Sequence, residues 1–368
     1  MRSVIFFFCI FAAQLSLKAY AYPELSRHGY TNCTSCHLSP SGGGLLTPYG
    51  RELSKEILST WAKDGEQYFA YGKLSTDEKT LLGAYVRGLQ AIRDDKNTQV
   101  ARAILMQADA ELGYNEKKWA IAGTIGRQEI RSGQKADGRV FSRRHYFLYR
   151  SNDALAFRIG KFLHFYGLND ANHNLYVRKD LNFGFDTETY NFEASYLGDS
   201  WAAYITYING PLSDQYSPLK ERAATASMSY FFNERQKIGM SIYRGEDDLN
   251  KRLVAGPWLI LSLAQKVYLL SEFNWQFKNI KATQAKQNGY VTSHRLNYEW
   301  MQGLISFLSF DKKYLNSNDP NSEQNAYGIG VQFFPRPHFE LVTSWQKEEL
   351  INAKSTSDLY WLMLHFYL

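Results

Sequence analysis

Residues 267–278 read Val-Tyr-Leu-Leu-Ser-Glu-Phe-Asn-Trp-Gln-Phe-Lys. On an extended backbone Val267, Leu269, Phe273, Trp275 and Phe277 share one face, and Glu272, Asn274, Gln276 and Lys278 share the other. Alternation with period two over such a run marks a β-strand with one apolar and one polar side. The last segment repeats the pattern, placing Tyr360, Leu362, Leu364, Phe366 and Leu368 on one side. Strands of a soluble sandwich are usually about five or six residues long. These are longer.

Working outward, about sixteen such segments follow one another from residue 80 to the end. Their expected starts are Thr80, Val100, Lys117, Val140, Asp153, Phe183, Trp201, Arg222, Gln236, Asn250, Gln265, Gly289, Met301, Gln324, Pro337 and Asp358. Short connections (Asn115-Glu116, Gly198-Asp199, Asn233–Arg235, Phe334–Pro337) alternate with longer polar ones, such as 132–138, 210–221, 281–288, 313–323 and 351–357. Short turns on one side and long loops on the other describe an antiparallel transmembrane β-barrel. Closure removes the sheet edges that an open sheet of this size would expose, and sixteen strands enclose an aqueous lumen. The expected fold class is therefore all-β, an approximately 16-stranded barrel over residues 80–368.

Composition agrees. The 368 residues include 26 Tyr, 23 Phe and 8 Trp, a supply suited to aromatic girdles at a membrane interface. After the first 21 residues no run of 18 apolar residues occurs, which excludes helical membrane spans. Net charge is +6, falling to +4 without Arg2 and Lys18; a balance this weak and scattered excludes nucleic acid as a partner. Phosphate loops, dinucleotide fingerprints and nucleophile elbows are absent from the sequence.

The N-terminal end reads differently. Met1-Arg2, an apolar stretch from Val4 to Ala13, and Ala19-Tyr20-Ala21 make a signal peptide over 1–21, with Tyr22 as the expected mature start. Cys9 leaves with it, so the mature chain keeps two cysteines, in Cys33-Thr34-Ser35-Cys36-His37. C-x-x-C-H is the attachment motif of haem c: the thiols add to the two vinyl groups and the histidine ligates the iron. A C-x-x-C redox pair or half of a zinc site are the alternatives; the first lacks a βαβ setting and the second lacks a fourth ligand. Pro40–Gly44 reads as a turn, and Thr47-Pro48 as the N-cap and first residue of a helix whose apolar face carries Leu53, Ile57, Leu58 and Trp61. Residues 22–79 are thus expected to form a small helical haem unit. It is too short to bury a haem alone and must plug or cap the barrel lumen.

With its export signal, its Cys33-x-x-Cys36-His37 motif, its Tyr49-Gly50-Arg51 element and its barrel, the chain resembles the fused monohaem cytochrome–porins. These bacterial outer-membrane proteins include iron-oxidising members. The Gly42-Gly43-Gly44 run and the modest length depart from those members. The resemblance implies one covalent haem c, with thioethers at Cys33 and Cys36 and the proximal bond at His37. It also implies electron transfer across the outer membrane between an extracellular donor or acceptor, Fe(II) among them, and a periplasmic cytochrome. The competing functions are a transport porin whose haem unit gates or senses, and a haem enzyme with an open distal position.

A six-coordinate haem needs a second axial ligand. His28, five residues before Cys33, and His173, in the long connection 163–182, are the candidates. By position that connection matches the loop that folds into the lumen of sixteen-stranded porins, which would carry His173 or His164 toward the haem. His145, His294, His338 and His365 fall in strands or turns and are read as ordinary. Arg143, Arg144, Arg150, Arg158 and Lys161, crowded beside the loop, could meet haem propionates or simply line a wet lumen, and Arg51 could also reach a propionate.

Overall fold

The computed structural model describes residues 30, 33–73, 77–95, 97–127, 140–172, 174–184, 187–213, 219–233 and 235–368. The expected signal peptide, 1–21, lies outside them.

Sixteen antiparallel strands form one closed barrel. They are β1 (Thr80–Asp94), β2 (Gln99–Asn115), β3 (Trp119–Arg127), an interrupted β4 (Val140–Phe141 and His145–Arg150), β5 (Leu155–Phe162), β6 (Thr189–Leu197), β7 (Trp201–Asn209), β8 (Arg222–Phe232), β9 (Gln236–Glu246), β10 (Asn250–Ala264), β11 (Val267–Ile280), β12 (Ala285–Met301), β13 (Leu304–Tyr314), β14 (Glu323–Arg336), β15 (Phe339–Leu350) and β16 (Ser355–Tyr367). Each pairs with its neighbours in sequence, and β16 closes onto β1 from Tyr85–Tyr367 to Asp94–Asp358. The largest departures from the expected starts are at β6, which begins at Thr189 rather than Phe183, and at β12. The hairpin β11–β12 runs on past its polar residues, so its loop shrinks to 281–284. Ladder hydrogen bonds continue wherever the partner strand is present, whatever the polarity of the side chains.

The two faces of the wall are inverted relative to a soluble protein. Along β11 the polar Glu272 and Asn274 are 1% and 0% exposed, whereas Trp275 and Phe277 are 46% and 47% exposed. Polar residues face inward, so every charge there needs a partner. Arg143 pairs with Asp109 at 3.0 Å, Arg158 with Glu193 at 2.7 Å and Arg252 with Glu221 at 2.8 Å.

β4 is broken at residues 142–144. Thr124 bridges the gap: its N–H donates to the Arg144 carbonyl at 2.8 Å, and its hydroxyl accepts from the Arg144 N–H at 2.8 Å. A regular strand would send consecutive side chains to opposite faces. The break instead lets both Arg143 and Arg144 point into the interior, where each meets a carboxylate.

Two segments occupy the lumen. One is the connection after β5, in which His164, Tyr166, Leu181 and Phe183 are buried. The Gly167 N–H donates to Ser241 Oγ at 3.0 Å, the Leu168 N–H to Glu272 at 2.8 Å, and the Tyr166 hydroxyl to Asn274 at 2.8 Å. The connection therefore crosses to β9 and β11 and folds inward, as its length suggests. Within it lies a single helical turn, Tyr176–Lys179.

The other is the N-terminal segment. Cys36–Leu38 and Leu45–Thr47 pair as a small hairpin, through Leu38 N to Leu45 O and Thr47 N to Cys36 O at 3.0 and 2.9 Å. Leu38 and Leu45 pack on Leu81, Leu148 and Phe162 of the inner wall. Helix α1 (Pro48–Leu53) then begins at Thr47, whose hydroxyl accepts from Gly50 N at 3.0 Å, and runs into a wider turn over Ser54–Leu58. Thr60 and Trp61 donate to the Phe334 and Pro335 carbonyls, and Gln302 to the Ser59 carbonyl, all at the short-turn rim. Gly303 sits there with φ of 80°, and a Cβ would lie 2.5 Å from the Leu58 carbonyl oxygen, so glycine alone permits the contact. Trp61 corrects the expectation of a four-residue apolar face. The helical turns end at Leu58, and Trp61 lies exposed, edge-on to Phe333 at 5.5 Å.

Candidate functional site

A cavity of about 270 Å³ lies inside the barrel between the N-terminal segment, the inward connection and the wall. Cys33, Cys36 and His37 all line it. Their local structure follows from one helical turn: the N–H groups of Cys36 and His37 both reach back to the Cys33 carbonyl, at 3.2 and 2.9 Å. That turn brings the two cysteines and the histidine to one side of the chain. The strip Gly42–Gly44, at φ of 79°, 68° and 69°, then doubles back over the motif. A Cβ on Gly42 would lie 3.1 Å from Cys33 Sγ.

No disulfide joins Cys33 and Cys36. Desolvation pushes the Cys33 thiol above its ordinary range, outweighing the nearby Lys237 ammonium. The thiol therefore stays protonated. Burial, with Arg144 nearby, pushes His37 down to about 4 although the Gly44 carbonyl opposes this, so the imidazole is neutral. Its Nδ1 lies 3.2 Å from that carbonyl, which fixes the proton on Nδ1 and leaves the Nε2 lone pair available. Among the described residues no group of three or more His, Cys, Asp or Glu side chains is arranged to hold a bare metal ion.

The remaining lining divides in two. Leu46, Leu53, Phe162, Phe165, Trp258 and Ile260 supply apolar surface, while Arg87, Arg144, Arg158 and Lys237 bring positive charge, with Asp170, Glu188 and Glu340 the carboxylates. Arg158 donates to Ser39 Oγ and Ser41 Oγ at 2.7 and 2.9 Å as well as to Glu193, fastening the N-terminal hairpin to β5. Arg144 Nε and Arg158 Nε are buried with no hydrogen-bond partner among the described residues. An apolar slot with two thiols and a neutral imidazole on one side, and guanidinium donors left over, could hold a covalently attached haem and its carboxylates.

The other expected residues distribute as follows. His28 and His173 lie outside the described residues. His164 does not reach the cavity: it is enclosed by Phe183 and Tyr243 at ring distances of 5.3 and 5.9 Å, and it faces the opposite side of its segment from Phe165. Arg143 turns to Asp109, Lys161 to the Ser142 carbonyl, Arg150 to Glu116 and Asn115, and Arg51 to the Leu82 carbonyl. His365, ordinary by its sequence context, lines the cavity. The alternation of β16 carries the signal: if Leu364 and Phe366 face out, His365 faces in.

No protein-family model and no curated protein matches the chain. Solved barrels do resemble it. The outer membrane channel DcaP of Acinetobacter baumannii superposes with a TM-score of 0.56 at 11% identity, covering 80% of this chain and 99% of that one. OprB of Pseudomonas putida gives 0.59 at 8% identity, over 79% of this chain and 95% of its own. The anion-selective porin from Comamonas acidovorans gives 0.58 at 9% identity, over 78% and 99%. The chain has the fold of an outer-membrane porin.

Proposed function

We propose that this chain is an outer-membrane electron conduit that carries one covalent haem c inside a porin-like barrel. The observation that carries the reading is the opening of Cys33, Cys36 and His37 into a single lumenal cavity. Cys33 and Cys36 would hold the haem through thioethers, each S–H adding across a vinyl group. His37, its Nδ1–H held by Gly44, would present Nε2 to the iron. Arg144 and Arg158, whose Nε–H groups have no partner among the described residues, would hold the propionates. The bound haem supplies one-electron exchange between ferric and ferrous iron, so no side chain here has to act as nucleophile or general base.

The wall sets the environment. Apolar side chains on the outer face, such as Trp275 and Phe277, suit lipid. Residues 33–58, 163–172 and 174–184 lie in the interior, where they would keep bulk water from the iron and tune its potential through burial. The partners are an extracellular donor or acceptor, with ferrous iron as one case, and a periplasmic cytochrome. The alternative is a solute-conducting porin in which haem gates or senses, a reading that the likeness to outer-membrane channels supports.

The test is vectorial transfer. The protein is reconstituted in liposomes enclosing a soluble c-type cytochrome, and a membrane-impermeant ferrous chelate is added outside. Reduction of the enclosed cytochrome is expected with the native protein and not with Cys36→Ser. Equal rates for both contradict the reading.

A further inference from the structure

We infer that His365, on the last strand, is the second axial ligand of the iron; this rests on the haem reading above. On β16 the residues Leu364 and Phe366 face outward, while His365 is 6% exposed and lines the same cavity as His37. Among the described residues these are the two histidines that line it, and no methionine does.

The imidazole is prepared for ligation by its neighbours. Nδ1 lies 2.9 Å from Glu340 Oε2, and Glu340 Oε1 accepts from Gln332 Nε2 at 2.6 Å. A carboxylate at Nδ1 places the proton there and leaves the Nε2 lone pair for an acceptor role. This is the arrangement that orients metal-bound histidines and raises their basicity. Nε2 faces Arg87 Nη2 at 3.4 Å, a long contact that a metal bond would replace. The ring plane is held by Tyr85, stacked at 5.9 Å, and by Tyr367 at 5.1 Å. The Tyr85 hydroxyl donates to the Gly44 carbonyl at 2.6 Å, the same carbonyl that His37 Nδ1 reaches. One backbone oxygen thus braces the tyrosine behind one imidazole and orients the other. Glu340 and Gln332 belong to β15 and β14, so the last three strands of the barrel position this ligand. Lys237 also reaches the cavity, but beside Cys33, on the side where the haem is tethered.

The experiment is electron paramagnetic resonance with near-infrared magnetic circular dichroism on the purified holoprotein. The native ferric protein is expected to be low-spin with the charge-transfer band of two nitrogenous axial ligands, and its ferrous form to resist carbon monoxide. His365→Ala is expected to keep its covalent haem, turn high-spin, bind carbon monoxide and regain the low-spin signal on addition of imidazole. Should that variant not fold, His365→Met keeps a ligating side chain and moves the near-infrared band to the histidine–methionine position. Glu340→Gln, which leaves the ligand in place, is expected to raise the reduction potential. A high-spin or histidine–methionine native spectrum overturns the assignment. So does a His365→Ala spectrum identical to the native one, with the loss found instead in His28→Ala, His173→Ala or Lys237→Ala. Absence of covalent haem from the native protein is a different result, and it removes the parent reading instead.

Discussion

Gly50 rests directly on the backbone of Cys36: a Cβ at Gly50 would lie 2.3 Å from the Cys36 carbonyl oxygen and 2.9 Å from its Cα. That carbonyl also accepts from Thr47 N, so it cannot retreat without breaking the hairpin. The middle residue of Tyr49-Gly50-Arg51 therefore couples helix α1 to the cysteine motif. Gly50→Ala is expected to cost about 1–3 kcal/mol through overpacking and to lower covalent haem content, read as haem absorbance per mole of protein. Unchanged occupancy would show that the contact is dispensable.

Arg158 joins the barrel to its plug, meeting Glu193 on one side and Ser39 and Ser41 on the other. Removing one partner of a buried pair costs about 3–5 kcal/mol because the other charge is stranded. Arg158→Ala should therefore lower the temperature at which the folded band shifts in gel electrophoresis and expose residues 39–46 to protease. Arg158→Lys, which keeps the charge and loses the fork, should fall between.

Much of this architecture was legible in the sequence, and the reason is physical. A barrel in lipid presents one apolar and one polar face, so period-two patterning survives in segments such as Val267–Lys278 without help from tertiary context. The cysteine motif stands out in the sequence because haem attachment, as proposed here, demands fixed spacing. His365 reads as ordinary in the sequence because a single inward histidine looks like any other lumen residue until Glu340 is seen against it and both histidines are seen to line one cavity. The inward fold of the long connection is expected from the sequence, but His164, expected to be carried toward the haem, turns away from the cavity while Phe165 and Leu168 line it. That depends on the chain path through Gly167 and on the partners at Ser241 and Glu272.

His164 makes the fold acid-sensitive. Burial, with Arg178 and Arg252 nearby, pushes its imidazole down to about 3, and neither ring nitrogen has a partner among the described residues. The unfolded chain takes up this proton below pH about 6.5, while the folded chain refuses it until about 3. Stability is thus full above pH 6.5 and declines as the pH falls through that window, by about 1.4 kcal/mol per unit from this group. In urea titrations at pH 7 and pH 4.5, His164→Phe should lose less stability than the native protein. An equal loss would place the acid sensitivity elsewhere.

Residues 33–58, 163–172 and 174–184 lie in the lumen, so the intact protein should pass little current in planar bilayers compared with an open sixteen-stranded porin. Arg158→Ala, which unfastens the plug, should raise the frequency of large openings. A high, steady conductance in the native protein would favour the transport alternative.

The most direct test is the pyridine haemochrome spectrum of the denatured, purified protein together with its intact mass. The account predicts one haem per chain, covalently retained, with the spectrum of two thioether bonds. It also predicts loss of that adduct in a Cys33→Ser, Cys36→Ser double variant that still inserts as a barrel. A native protein whose mass equals that of the bare mature chain, with both thiols open to alkylation, would contradict it.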